Sequence, residues 1–221
     1  MRKGWIVVFL IFALVGMSAC GVETNKLVKK NIAEVTSVYY YGESEDCYAT
    51  LSVGEREEEY LLDGSCGQLT EFALLVLAFH NTVQQNAIKA NVLIDNIGVE
   101  VELELNANNG KFMCDLERKL TGEEVVEIEF DEKHFALDAI SNDFLIDSDK
   151  AIEIACKEFE GLIQSITKSN KLLGEGYLRI LDKKANNFDG VFWCFTLLDR
   201  SGNSWSVIIS TEDGSILAKS I

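Results

Sequence analysis

Between Ile32 and Asp131 apolar and polar residues alternate along the chain. In Val99–Leu105 the side chains of Val99, Val101, Leu103 and Leu105 share one face, and Glu100, Glu102 and Glu104 share the other. Val126–Phe130 repeats the scheme around Glu127 and Glu129. A period of two is that of a strand buried on one side only, which predicts antiparallel sheet. The same reading predicts strands at Ala33–Tyr41, Cys47–Val53, Glu58–Leu62, Phe72–Phe79, Ala87–Ile94 and Lys111–Glu117. Turn signals separate them: Gly42-Glu43-Ser44, Val53-Gly54, Asp63-Gly64, Asp95-Asn96, Asn108-Asn109-Gly110 and Thr121-Gly122. Phe72–Leu77 is continuously apolar and fits a buried helix equally well. About eight short strands in this length predict an antiparallel β-sandwich over residues 32–131.

Beyond it the pattern changes. Residues 132–147 read as an acidic linker. Ser148 or Asp149 then caps a helix in which Ile152, Ala155, Cys156, Phe159, Leu162, Ile163 and Ile166 recur at spacings of three and four. Asp149 and Glu153 lie near its start and Lys168 and Lys171 near its end, as the helix dipole favours. Gly174-Glu175-Gly176 lacks the third glycine of a dinucleotide fingerprint and precedes a strand, so it reads as the stop of that helix. Strands follow at Tyr177–Leu181, Val191–Leu198, Trp205–Ile209 and Ile216–Ala218. Residues 148–221 are therefore expected to form a small α+β domain.

Four segments of this region carry a resemblance: Ala151-Ile152-Glu153-Ile154-Ala155, the strand Val191–Leu198, Trp205–Ile209, and Asp213-Gly214-Ser215-Ile216-Leu217. Together they resemble a PepSY domain, found in protease propeptides and cell-surface bacterial proteins. The resemblance implies a helix packed on an antiparallel sheet and a role in restraining peptidases.

The chain opens with Arg2 and Lys3, an unbroken apolar run from Trp5 to Val15, and then Gly16-Met17-Ser18-Ala19-Cys20. As a helix that run rises about 16 Å, half of a bilayer core, so it describes an export signal rather than a span. Met17–Cys20 resembles the lipobox of bacterial lipoproteins, with Met17 in place of the usual Leu. The resemblance implies a signal peptide over 1–19, cleavage before Cys20, lipid on the Cys20 sulfur, and a membrane-anchored tether over 20–31. Cleavage after Ser18 or Ala19, and an uncleaved anchor, are the alternatives.

Charge narrows the partners. With 20 basic and 36 acidic residues the net charge is −16, which repels a nucleic-acid backbone and anionic headgroups alike. Nothing in the sequence implies a cofactor or a metal site. Asp143, Asp147 and Asp149 lack the spacing of a calcium loop. Cys47, Cys66, Cys114, Cys156 and Cys194 are an odd set, so they cannot form a closed disulfide framework. A Cys156–Cys194 bridge is conceivable, and buried free thiols are the plainer expectation. Cys66, in Gly64-Ser65-Cys66-Gly67, is read as part of a turn rather than as a nucleophile, because His80 and His134 lie in no catalytic motif. The Glu100, Glu102 and Glu104 row is read as a solvated face that protects a sheet edge. Tyr39, Tyr40 and Tyr41 put tyrosines on both faces of one strand, so at least one is expected at the surface. Taken together, these readings point to a non-enzymatic lipoprotein on the outer face of a membrane, carrying binding modules whose ligand the sequence does not name, with a cell-surface protein as one candidate partner. The alternatives are a regulator of an exported peptidase and an enzyme of unfamiliar type.

Overall fold

A computed structural model describes residues 24–59, 63–181 and 190–220. The expected export signal, Cys20, the end of the strand expected at Glu58–Leu62, and residues 182–189 lie outside the described residues. The chain is mainly β and divides into two compact units.

The first unit comprises residues 34–58 and 69–145. Its strands are β1 (Ile32–Glu43, of which Ile32 and Ala33 belong to the second unit), β2 (Cys47–Glu57), β3 (Leu69–Phe79), β4 (Ala87–Ile94), β5 (Ile97–Asn106), β6 (Lys111–Asp115), β7 (Val126–Phe130) and β8 (Lys133–Leu137). Phe72–Leu77 is thus strand, not helix. One antiparallel ladder runs β1-β2-β3-β6-β5-β4-β7-β8. Its outer strands meet again: Tyr41 and Asp138 exchange both backbone hydrogen bonds, each 2.9 Å. A sheet closed in this way has no open edge there.

Closure needs curvature and close approach, and β1 provides both. Its register shifts between Thr36 and Val38, opposite Gly54. A Cβ on Gly42 would lie 2.2 Å from the Ala136 carbonyl oxygen, so only glycine lets β1 come so near β8. Inside, Tyr40, Leu51, Leu75, Leu77, Leu103, Phe112 and Ile128 are fully buried. Phe79 sits edge-on to Phe112 and Phe130 at 5.8 and 6.0 Å, and Phe130 to Phe135 at 6.3 Å. Each such pair adds about 0.5–1.5 kcal/mol beyond its area.

The expected acidic linker is mostly structured. Lys133–Leu137 pairs with β7, Leu137 is buried, and Ile140–Asp143 forms a 3-10 turn. Phe135 and Leu137 alternate with the exposed His134 and Ala136 after the Asp131-Glu132 turn. That short period-two signal was masked by the surrounding acids.

A second feature ties β1 to the segment that precedes β7. Tyr40 donates its phenol to Glu124 at 2.9 Å, and the same carboxylate accepts the Thr121 N–H and hydroxyl and the Gly122 N–H, all at 3.0 Å. Burial, then the Glu124 hydrogen bond and charge, push the Tyr40 phenol well up. For Glu124 desolvation acts upward but is outweighed by donors from its own and the Thr121 backbone and from both hydroxyls, so its pKa falls from 4.5 to about 2. A lowered carboxyl pKa stabilises the fold above the unfolded value and loses that contribution as pH falls through the folded one. We expect Glu124→Gln to lower stability at pH 7 by ~1–2 kcal/mol. In urea titrations the gap to wild type should shrink between pH 4.5 and about 2; a gap independent of pH would refute the assignment.

The second unit comprises, among the described residues, 24–33, 59, 63–68, 146–181 and 190–220. It holds a helix, α1, at 24–29, then α2 (Ser148–Glu158) and α3 (Glu160–Ser165). A small hairpin, β9 (Thr167–Lys168) with β10 (Lys171–Leu172), leads to the meander β11 (Gly174–Leu181), β12 (Phe192–Asp199), β13 (Ser204–Ser210) and β14 (Ile216–Ser220). Helix α2 packs on β12 and β13 through Ala151, Ile152, Ala155 and Cys156. Trp193 is buried and donates its indole N–H to the Ile146 carbonyl at 2.7 Å. No helix among the described residues is long and apolar enough to cross a membrane.

Several expectations change here. The cap of α2 is Asp147, which accepts the Lys150 N–H at 2.7 Å, rather than Ser148 or Asp149. The helix breaks at Phe159 instead of running to Ile166. Gly174-Glu175-Gly176 opens β11 and is no helix stop. The tether expected over 20–31 is folded from residue 24 onward: Val28 is fully buried, and Lys29 pairs with Asp149 at 2.5 Å. Asn31 accepts the Gly176 N–H at 2.8 Å.

Candidate functional site

The outer face of β5-β4-β7 carries the strongest candidate. Alternation sends Ile88, Ala90, Val92 and Ile94 of β4 inward and leaves Lys89 and Asn91 outside. The register sets Lys89 opposite Glu102, and Asn91 opposite Glu100 on one side and Glu129 on the other. His134 of β8 continues that row beside Glu129. Asn91 donates its amide to Glu129 at 3.1 Å, and His134 Nε2 lies 3.1 Å from the Glu127 carboxylate. Lys89, Asn91, Glu100, Glu102, Glu129 and Asp131 line an open groove of about 610 Å³. Its floor is rigid sheet and its rim is four carboxylates to one ammonium.

The groove belongs to a unit of marked charge. Of the 36 acidic and 20 basic residues, 22 acidic but only 6 basic fall in 34–58 and 69–145, leaving 14 of each in the rest of the chain. The whole excess of −16 therefore sits on the eight-stranded unit. Such a field attracts cationic groups and raises their local concentration.

The residues singled out from the sequence distribute as follows. Glu100, Glu102 and Glu104 are exposed as expected, but β5 pairs with β4 and β6, so they guard no sheet edge. Tyr39 and Tyr40 are buried; Tyr41 is partly exposed, stacks on Tyr48 at 6.1 Å and donates to Glu43 at 2.7 Å. Asp143 lies in the 3-10 turn, Asp147 caps α2 and Asp149 pairs with Lys29, so the three acids have separate structural tasks. Among the described residues no group of three or more His, Cys, Asp or Glu side chains is placed to hold a metal ion.

The cysteines Cys47, Cys66, Cys114, Cys156 and Cys194 are free thiols, with no Cys156–Cys194 bridge. Burial pushes Cys114 up to about 11 and Cys156 up to about 12, and raises Cys47 and Cys194 as well. Cys66 is half-buried and donates to the Ile32 carbonyl at 2.9 Å. His80 and His134 belong to the other unit, where His80 lies 3.8 Å from Glu43.

Sequence reasoning found the glutamates of β5 but not Lys89, Asn91, Glu129 and Asp131, because cross-strand register is set far along the chain. It also missed Glu175, which is fully buried. Comparison with known proteins adds no relative: no family model, curated protein or solved structure matches this chain.

Proposed function

We propose that this protein is a non-enzymatic, lipid-anchored lipoprotein of the extracytoplasmic membrane face, whose eight-stranded, sandwich-like unit binds a cationic protein partner. The observation that carries the reading is the confinement of the entire net charge of −16 to that unit. The lipobox-like Met17–Cys20 supports the anchor. The groove of β4, β5 and β7 supports the contact, since its carboxylates stand on a face that the protein core does not use. Rim charges of this kind act chiefly on encounter rate and selectivity, and their effect weakens with salt.

Two measurements test it. Cys20→Ala should move the protein from the membrane fraction to the soluble one. A lysine homopolymer should bind the purified protein in titration calorimetry, with an affinity that falls steeply as salt rises. The triple variant Glu100→Gln/Glu102→Gln/Glu129→Gln should lose about tenfold. Binding insensitive to both salt and these substitutions would overturn the partner's chemistry. Retention of Cys20→Ala in the membrane would overturn the anchor.

A second reading has one observation in its favour. Residues 148–221 do pack a helix on an antiparallel sheet, the arrangement implied by the PepSY resemblance. In that reading this region restrains an exported peptidase. Loss of peptidase activity on adding the purified protein to culture fluid would favour it over the first.

A further inference from the structure

Glu175 has no accessible surface, yet its carboxyl is only half satisfied. Oε1 accepts the Gly64 N–H at 3.0 Å, while Oε2 has no hydrogen-bond partner. The donor belongs to the segment 63–68, which lies in the connection between β2 and β3 and packs within the second unit. That segment is preformed. Asp63 accepts the Ser65 N–H at 2.9 Å and its hydroxyl at 2.5 Å, and the latter bond is the main cause of a lowered Asp63 pKa. Gly64 has φ +75°, and a Cβ there would lie 2.6 Å from the Arg200 nitrogen, so the backbone lies flat on the Asp199-Arg200 turn. Cys66 donates its thiol to Ile32.

The attachment is polar and thin. Within 63–68 only Gly64 is buried, and it has no side chain. Closing this segment over Glu175 makes one bond to the carboxyl and leaves the other oxygen buried with no protein partner. Opening it exchanges that bond for hydration of both oxygens. A buried acceptor left unmade is destabilising, which narrows the free-energy gap between the closed and the open state. Regions held by few apolar contacts open independently of the global transition.

We infer that residues 63–68 are a strap, fastened by Glu175, that opens while the rest of its unit stays folded and thereby uncovers the Cys66 thiol. The device places a two-state element in the β2–β3 connection. It is independent of the partner assigned above.

The test is alkylation of the full-length protein with iodoacetamide, read by peptide mass mapping so that Cys66 and the buried Cys156 report from the same molecule. Glu175→Ala should raise the Cys66 rate by about tenfold with Cys156 still protected, and Glu175→Gln, which keeps an acceptor for Gly64, should raise it far less. A wild-type Cys66 rate in Glu175→Ala, or equal acceleration of both thiols, would overturn the proposal. If Glu175→Ala does not fold, the wild-type protein decides. Cys66 labelling that is flat in low urea while Cys156 labelling climbs steeply supports a local opening, and parallel slopes overturn it.

Discussion

Residues 148–221 produced alone are expected to give a broad, non-cooperative thermal melt, whereas a chain ending at residue 147 should unfold in one sharp transition. The asymmetry follows from how each unit is assembled. The eight-stranded unit is complete within 34–58 and 69–145, so the shorter chain keeps all of it. The second unit draws on 24–33 and 63–68 as well as the C-terminal stretch. Cutting at 148 removes the buried side chains of Val28, Ile32 and Ala33 and takes Ile32 Cδ1 away from Gly176. It also strips Glu175 of the Gly64 donor. Val28 and Ile32 are each worth about 1.5–3 kcal/mol, and a domain's whole stability is roughly 5–15 kcal/mol, so the loss is a large fraction of the total. Circular dichroism of both fragments on heating is the check. A sharp melt of 148–221 alone would show that the N-terminal and strap segments contribute little to its stability.

The second large effect lies at the seam of the closed sheet. Gly42→Ala is expected to destabilise the protein by roughly 2–4 kcal/mol, because its Cβ cannot coexist with the Ala136 carbonyl oxygen 2.2 Å away. The strands must part there, and the adjacent Tyr41–Asp138 hydrogen bonds go with them. Gly161→Ala in α3 is the control. Nothing stands within 4 Å of its added methyl, and alanine in a helix is neutral to stabilising by up to ~1 kcal/mol. Urea midpoints of the two variants should fall on opposite sides of wild type, or nearly so. Hydrogen exchange at Tyr41 and Asp138 should accelerate together in Gly42→Ala. Equal midpoints would mean that the seam contributes nothing to the fold.

Much of this architecture could be read from local pattern, and the rest could not for definite reasons. Strands β4 and β7 fall on the expected residues, Ala87–Ile94 and Val126–Phe130, because unbroken alternation leaves little freedom. The break at Phe159 was not legible, since the apolar stripe continues through Ile163 on both sides of it. The hairpin of β9 and β10 turns on Ser169 and Asn170, both at positive φ; those residues are the available signal, and Gly174 was taken for the stop instead. Segment 63–68 has no periodicity, so its place in the second unit depends wholly on distant partners. For the candidate site the glutamates of β5 were visible as one face. The concentration of charge was not, because it requires knowing which residues make up each unit.

That residue 24 already belongs to a folded helix bears on how far the protein would stand from a membrane if it is anchored as proposed. With lipid on Cys20, four backbone steps separate the anchor from Thr24, a reach of no more than about 14 Å even at full extension. Screening at physiological salt falls off over about 8 Å, so anionic headgroups would be felt by whatever begins there. The region that begins there is the one of balanced charge, still 12 basic to 14 acidic residues once Arg2 and Lys3 are cleaved away. If the proposed anchor holds, a short leash would be compatible with a strongly acidic protein, because the portion nearest the bilayer would be the one of nearly balanced charge.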